Sequence, residues 1–193
     1  MDGRFVLGVD ETVVADLRLH VGQQISEDEL QAVVRAELVS KAKERALTLL
    51  EYRARSRAEI ARRLARAGFA EDIVDETVAR LESMGLIDDA QFSQAWVNHR
   101  MAGKPMGKTR IKWELRQKGV ATELVDAALS SVDPEAERSS AREAATRRLK
   151  KDSGLDERTR RRKTASYLQR QGFSWETINS VLNELAEDAD SDQ

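Results

Sequence analysis

Three glycines, Gly68, Gly119 and Gly172, stand 51 and then 53 residues apart, and the apolar residues around them keep step. Four positions before each glycine is a leucine (Leu64, Leu115, Leu168), and eight before are Ile60, Ile111 and Thr164. Phe69, Val120 and Phe173 follow directly; Val74, Val125 and Ile178 come six positions on. Val78, Leu129 and Leu182 then come at ten, and Leu81, Val132 and Leu185 at thirteen. Agreement at seven offsets, the glycine included, implies tandem copies of a unit too small to bury its apolar face alone. The four-residue steps are helical, and a glycine just past such a stripe ends the helix in the left-handed conformation.

The first copy shows the unit in full. Ser56 and Glu59 have the spacing of a capping box, Ile60 and Leu64 form a short stripe, and Gly68 stops it. Ile73, Val74, Val78 and Leu81 make a second stripe ending at Gly85. Each copy also has a preceding helix: 42–53; 90–101, with Phe92, Ala95, Trp96 and His99 on its apolar side; and 135–151, with Ala141, Ala144, Ala145 and Leu149. Asp88 or Asp89 can cap the second, and Asp133 with Pro134 starts the third. A further capping box, Ser26 and Glu29, opens one long helix, or two with a bend near Ser40, running to about Arg53. The expectation is an all-α chain of three tandem three-helix repeats in an elongated, curved array. Its divisions are an N-terminal extension 1–40, repeats at 41–87, 88–132 and 133–187, and an acidic disordered tail 188–193. Within the extension, the apolar–polar alternation of 4–20 suggests a short β-hairpin.

Composition agrees with helices bearing wide solvated faces: 34% of residues are charged, 5% aromatic, and proline occurs twice. Absence of cysteine excludes disulfides and thiolate metal sites. No apolar run approaches the ~18 residues of a membrane span and no charged-then-apolar leader is present, so a soluble cytoplasmic protein is expected. The net charge of −2 conceals a pattern. Basic residues outnumber acidic ones nine to three in 41–66, seven to one in 100–118 and ten to three in 147–170. The intervening 71–89 and 121–137 reverse the balance, at one to seven and none to five. A single basic run is ordinarily a solvated helix face, but three in phase with the repeat point to a polyanion or an acidic partner.

In the second repeat, Ile111 and Leu115 set the core face of a helix on which Trp113 lies about 200° away. Its equivalents are Arg62 and Ser166, so the repeat does not require an aromatic there. Trp113 either stacks on bases or anchors a partner from within a basic field, or packs on a helix of a neighbouring repeat.

No catalytic chemistry is legible. The stretch 103–109, GKPMGKT, resembles a phosphate-binding loop, but Gly103 and Gly107 are one residue too close and no strand precedes them. It reads as a connection between helices. His20 and His99 lack ligand-spaced partners, and Asp88–Asp89 reads as a cap. A binding protein without metal or cofactor is expected, not an enzyme.

Four segments resemble the RecX regulators of bacterial recombination: RSRAEI-x-R-x-L-x-x-x-GF at 55–69, L-x-x-x-GLIDD at 81–89, F-x-x-x-WV-x-x-R at 92–100, and GK-x-RI-x-x-ELRQKGV at 107–120. The resemblance is strongest over 42–132 and weaker to Leu185, where Thr164 replaces isoleucine and KKDSGLDERTRRRK (150–163) looks like an insertion. It implies tandem three-helix repeats that bind along a RecA filament on DNA and inhibit its ATPase, strand-exchange and co-protease activities, in a cytoplasmic monomer serving DNA repair and the SOS response. Some members of that family also bind single-stranded or duplex DNA directly. Candidate filament- or DNA-binding residues are Arg57, Arg62, Arg63 and Arg66 in the first repeat. In the second they are Arg100, Lys104, Lys108, Arg110, Lys112, Trp113, Arg116 and Lys118, and in the third Arg160, Arg161, Arg162 and Lys163. The alternatives are a general DNA-binding protein with basic helical repeats and a purely structural helical scaffold.

Overall fold

The computed structural model describes residues 8–191, with side chains described through 188. Among the described residues there are ten helices and no strand, divided between two compact units, Met1–Asp88 and Asp89–Gln193.

Unit 1 holds α1 (Glu11–Asp16), α2 (Glu27–Tyr52), α3 (Arg57–Arg66) and α4 (Glu71–Ser83). Capping boxes at Ser26/Glu29 and Ser56/Glu59 open α2 and α3, the serine hydroxyl accepting from the glutamate amide while the carboxylate accepts from the serine amide. Helix α2 continues through Ser40 for 26 residues. From its midpoint on it gives Val39, Ala42 and Ala46 to a core completed by Ile60, Leu64, Ile73, Val74, Val78, Leu81 and Ile87. Thr77 is fully buried in the same unit with its hydroxyl unpartnered. Removing that hydroxyl relieves a desolvation cost, so Thr77→Val is expected to raise stability by about 1 kcal/mol in urea unfolding. A destabilised variant would show that the hydroxyl has a partner after all.

The extension departs from the hairpin expected of it. Residues 4–7, most of the first arm, lie outside the described residues, and the second arm contains α1, capped by Asp10, whose carboxylate accepts from the Thr12 amide at 2.8 Å. The Thr12 hydroxyl, then its amide, hold the Asp10 carboxyl below the usual carboxylate range. Val13 and Leu17 satisfy a helical four-residue step as well as a strand's alternation, and the cap decides between them. Val13 is buried, and the buried Glu37 of α2 accepts the Asp10 amide at 2.7 Å, seating α1 on α2.

Unit 2 holds α5 (Asp89–Ala102), α6 (Lys108–Gln117), α7 (Thr122–Ser130), α8 (Pro134–Lys151), α9 (Glu157–Arg170) and α10 (Trp175–Ser191). Phe92, Val97, Ile111, Leu115, Val125 and Leu129 centre one cluster; Ala141, Ala144, Ala145, Leu168, Ile178 and Val181 centre another. On α5 the inward side differs from the expected one. Ser93 and Val97 are buried, Ala95 and His99 exposed, because the Ser93 hydroxyl can turn inward while donating to the Asp89 carbonyl at 2.6 Å. Thr164 occupies the isoleucine position fully buried by the same device, donating to the Arg160 carbonyl at 2.9 Å. The insertion-like stretch is the end of α8, a short turn and the start of α9. At the acidic end, α10 runs to Ser191, and the last two residues lie outside the described ones. No breaker interrupts it, and α8 grips it through Arg138–Glu184 at 2.5 Å and an Arg142–Asp188 ion pair.

The glycine rulers end three helices in one way. Gly68, Gly119 and Gly172 have φ of +93°, +82° and +87°. The amides of Phe69, Val120 and Phe173 return to the carbonyls of Leu64, Leu115 and Leu168 at 3.2–3.3 Å, the Schellman closure that needs a left-handed residue.

Candidate polyanion-binding surfaces

Each basic helix keeps its core residues on one side, so the candidate cations project from the rest of its circumference. Their partners then sort them. In unit 1, Arg57 pairs with Glu82 at 3.2 Å, and Arg62 donates to the Ala58 carbonyl at 3.1 Å. Arg63 and Arg66 are exposed and have no acidic partner among the described residues. With Arg45 and Leu49 of α2 and Ala67 they line an open cleft of about 170 Å³. Arg45 was absent from the candidates expected from sequence; its helical step to Leu49 was the available signal. The buried Arg55 donates to the carbonyl of Leu49, one of the lining residues, at 3.0 Å. Burial, then the neighbouring Arg53 and Arg63 charges, lower its proton affinity below that of an ordinary arginine.

In unit 2 half of the candidates hold the fold together. Glu114 accepts from the Trp96 indole at 3.0 Å and from Arg100 at 2.7 Å. The Arg100 guanidinium also lies 4.6 Å from the Trp96 ring centre and the Lys118 ammonium 4.2 Å. Lys108 is committed twice, its amide donating to Glu137 and its ammonium to the Val132 carbonyl, each at 3.0 Å. Lys112 pairs with Asp126 of α7. Arg161 clamps α10 through the Leu182 carbonyl at 2.9 Å and the Asn183 side chain at 2.6 Å. Lys104, Arg116 and Lys163 are exposed and carry no acidic partner among the described residues; Arg160 is half-buried, likewise without one. Arg162 is exposed, and after the Thr159 amide and hydroxyl its charge helps hold the Asp156 carboxyl below the usual carboxylate range. Trp113 is 61% exposed and stands one step from Arg116 on the open side of α6.

The turn at 103–107 is no phosphate loop. It follows a helix, and Gly107, the residue before α6, is buried against the α9–α10 turn. There the Gly107 amide donates to the Gln171 carbonyl at 3.0 Å and the Thr109 amide to the Gly172 carbonyl at 3.1 Å. Arg110 reaches the Arg170 carbonyl at 3.4 Å and Glu114 at 3.8 Å. It thus belongs half to this joint and half to the exposed surface. Among the described residues no cluster of acids and histidines could hold a metal ion, and no helix is long and apolar enough to cross a membrane.

Family models for the first, second and third three-helix domains of RecX match residues 42–81, 88–129 and 135–182. The chain is 35% identical over 156 residues to the regulatory protein RecX of Streptomyces coelicolor, covering 79% of this chain and 83% of that one. It is 29% identical to that of Clostridioides difficile over 185 residues, covering 96% and 87%. A crystal structure of a regulatory protein RecX superimposes with a TM-score of 0.88 at 27% identity, over 95% of this chain and 92% of that one. The crystal structure of RecX from Lactobacillus salivarius gives 0.74 at 26% identity, over 78% and 98%. With all three domains present in order and both similarities spanning most of the length, the chain belongs to the RecX family of regulatory proteins.

Proposed function

We propose that this protein restrains homologous recombination by binding the RecA nucleoprotein filament and inhibiting its ATPase, strand-exchange and co-protease activities. It acts by occupation, without chemistry of its own, in the cytoplasm and as a monomer. Family membership supports the regulatory role. The observation that carries the surface assignment is Trp113, a large apolar side chain left 61% exposed beside the unpaired Arg116, since tryptophan and arginine are the residues most often dominant at interfaces. The cations already bound to acids or carbonyls are ranked below the unpaired ones. Filament contact would then combine Trp113 and Arg116 with Arg63, Arg66, Lys104 and Lys163.

The test is a titration of recombinase ATPase and strand exchange with this protein. Wild type should inhibit both, and Trp113→Ala/Arg116→Ala should need about tenfold more protein, equivalent to ~1.4 kcal/mol. Its helical circular dichroism and melting temperature should match wild type, because neither side chain supports the core. Equal inhibition by the folded double variant would remove this surface from the interface. Equal affinity for naked DNA and for the filament would favour a general DNA-binding protein instead.

A further inference from the structure

We propose that the cleft between α2 and α3 is a pocket for one phosphate group of a nucleic-acid backbone. The proposal rests on the filament reading only for the source of that phosphate. Its ground is the distribution of ion pairs in unit 1. Arg35 is paired with Asp72 and Glu76, Arg53 with Glu59, Arg57 with Glu82 and Arg80 with Glu76. Arg45, Arg63 and Arg66 are not, and unlike Arg18 and Lys43, which also have no ion pair among the described residues, these three meet in one cleft with no carboxylate in its lining.

The arrangement is built from helical register. Arg63, Arg66 and Ala67 share one face of α3 at three- and four-residue steps, and Arg45 and Leu49 share one face of α2. Ala67 and Leu49 form an apolar floor that leaves the guanidinium heads as the only charged groups. Three like charges gathered in one cleft repel one another, and an anion seated among them would relieve that repulsion. A volume of about 170 Å³ is roughly five to six water volumes and admits a tetrahedral anion. Three guanidinium forks from two helices suit the several oxygens of a phosphate, whereas the two coplanar oxygens of a carboxylate are already satisfied by one fork.

The full-length protein is titrated with inorganic phosphate at constant ionic strength while the arginine Nε–Hε resonances are followed by NMR. Arg45, Arg63 and Arg66 should shift together and saturate with one dissociation constant, while Arg116 and Arg162 stay unmoved. Arg45→Lys/Arg63→Lys/Arg66→Lys keeps the charge and, with three exposed side chains altered, the fold. It should bind phosphate at least tenfold more weakly; retained affinity would reduce the pocket to a diffuse positive field and overturn the proposal. A glutamate-rich peptide that shifts the same resonances at lower concentration than phosphate would overturn it too. With a single-stranded oligonucleotide, Arg45→Gln/Arg63→Gln/Arg66→Gln should make the log–log salt slope shallower by about 0.7, the loss of one phosphate contact. An unchanged slope overturns the pocket even where wild type still binds the recombinase filament. Saturable phosphate binding with the expected slope change upholds it even where filament binding fails, so the two readings fall separately.

Discussion

Gly107→Ala is expected to destabilise unit 2 by about 3 kcal/mol, although glycine's conformational freedom is not used there. Gly107 has φ −84° and ψ 158°, values any residue adopts. The constraint is space: a Cβ on Gly107 would lie 2.2 Å from the Gly172 carbonyl oxygen, 2.3 Å from its carbon and 2.3 Å from the Phe173 nitrogen. All three are backbone atoms, so no rotamer change relieves the clash. Overpacking costs ~1–3 kcal/mol, and pushing the turn away also loses the Gly107–Gln171 and Thr109–Gly172 hydrogen bonds, each worth about 1 kcal/mol. Gly154→Ala is the control, since a Cβ there meets nothing within 4 Å, and its effect should stay within about 0.5 kcal/mol. Urea unfolding of both variants decides it; a Gly107→Ala protein as stable as the control would mean the two turns do not touch.

Glu114→Ala should cost about 2–3 kcal/mol, on the charge-assisted scale of hydrogen bonding. The carboxylate is 14% exposed and takes the Trp96 indole and the Arg100 guanidinium at once. Deleting it leaves both donors half-buried and the Arg100 charge unpaired, which is worse than replacing the pair with apolar groups. Glu114→Gln, which keeps an acceptor and the shape, should fall between, and tryptophan fluorescence should report the freed indole. Equal stability of Glu114→Ala and wild type would show that solvent satisfies both donors. Arg100 changes meaning in this light. Loss of filament binding in an Arg100 variant would be read through stability first.

Both the long-range repeat and the local signals were legible from sequence. Two capping boxes and the Asp133–Pro134 start depend on residues within one turn of one another, and the glycine closures on residues within five positions. Local ambiguity misled at Val13 and Leu17, where two periods fit the same residues and the Asp10 cap chose the helix. On α5, serine's small hydroxyl disguised a buried position. The cations could not be sorted at all without tertiary partners: Lys108 is spent on Val132 and Glu137, and Arg161 on Leu182 and Asn183, all more than twenty positions away. Arg45 joins Arg63 and Arg66 only after the α2–α3 turn is made. Identical charges along a helix therefore divided into clamps and open sites by what faced them.

The joint between the α6 start and the α9–α10 turn is made mostly of peptide groups. Its grip consequently depends little on side-chain identity, apart from Arg110 and the two glycines that let the chains meet. Substitutions on the surfaces of the second and third repeats therefore leave the peptide hydrogen bonds of the joint in place. In a nearest-neighbour description of repeat stability, these peptide contacts supply an interface energy that surface side chains contribute little to. Amide exchange at Gly107 and Thr109 would report the opening of both repeats together.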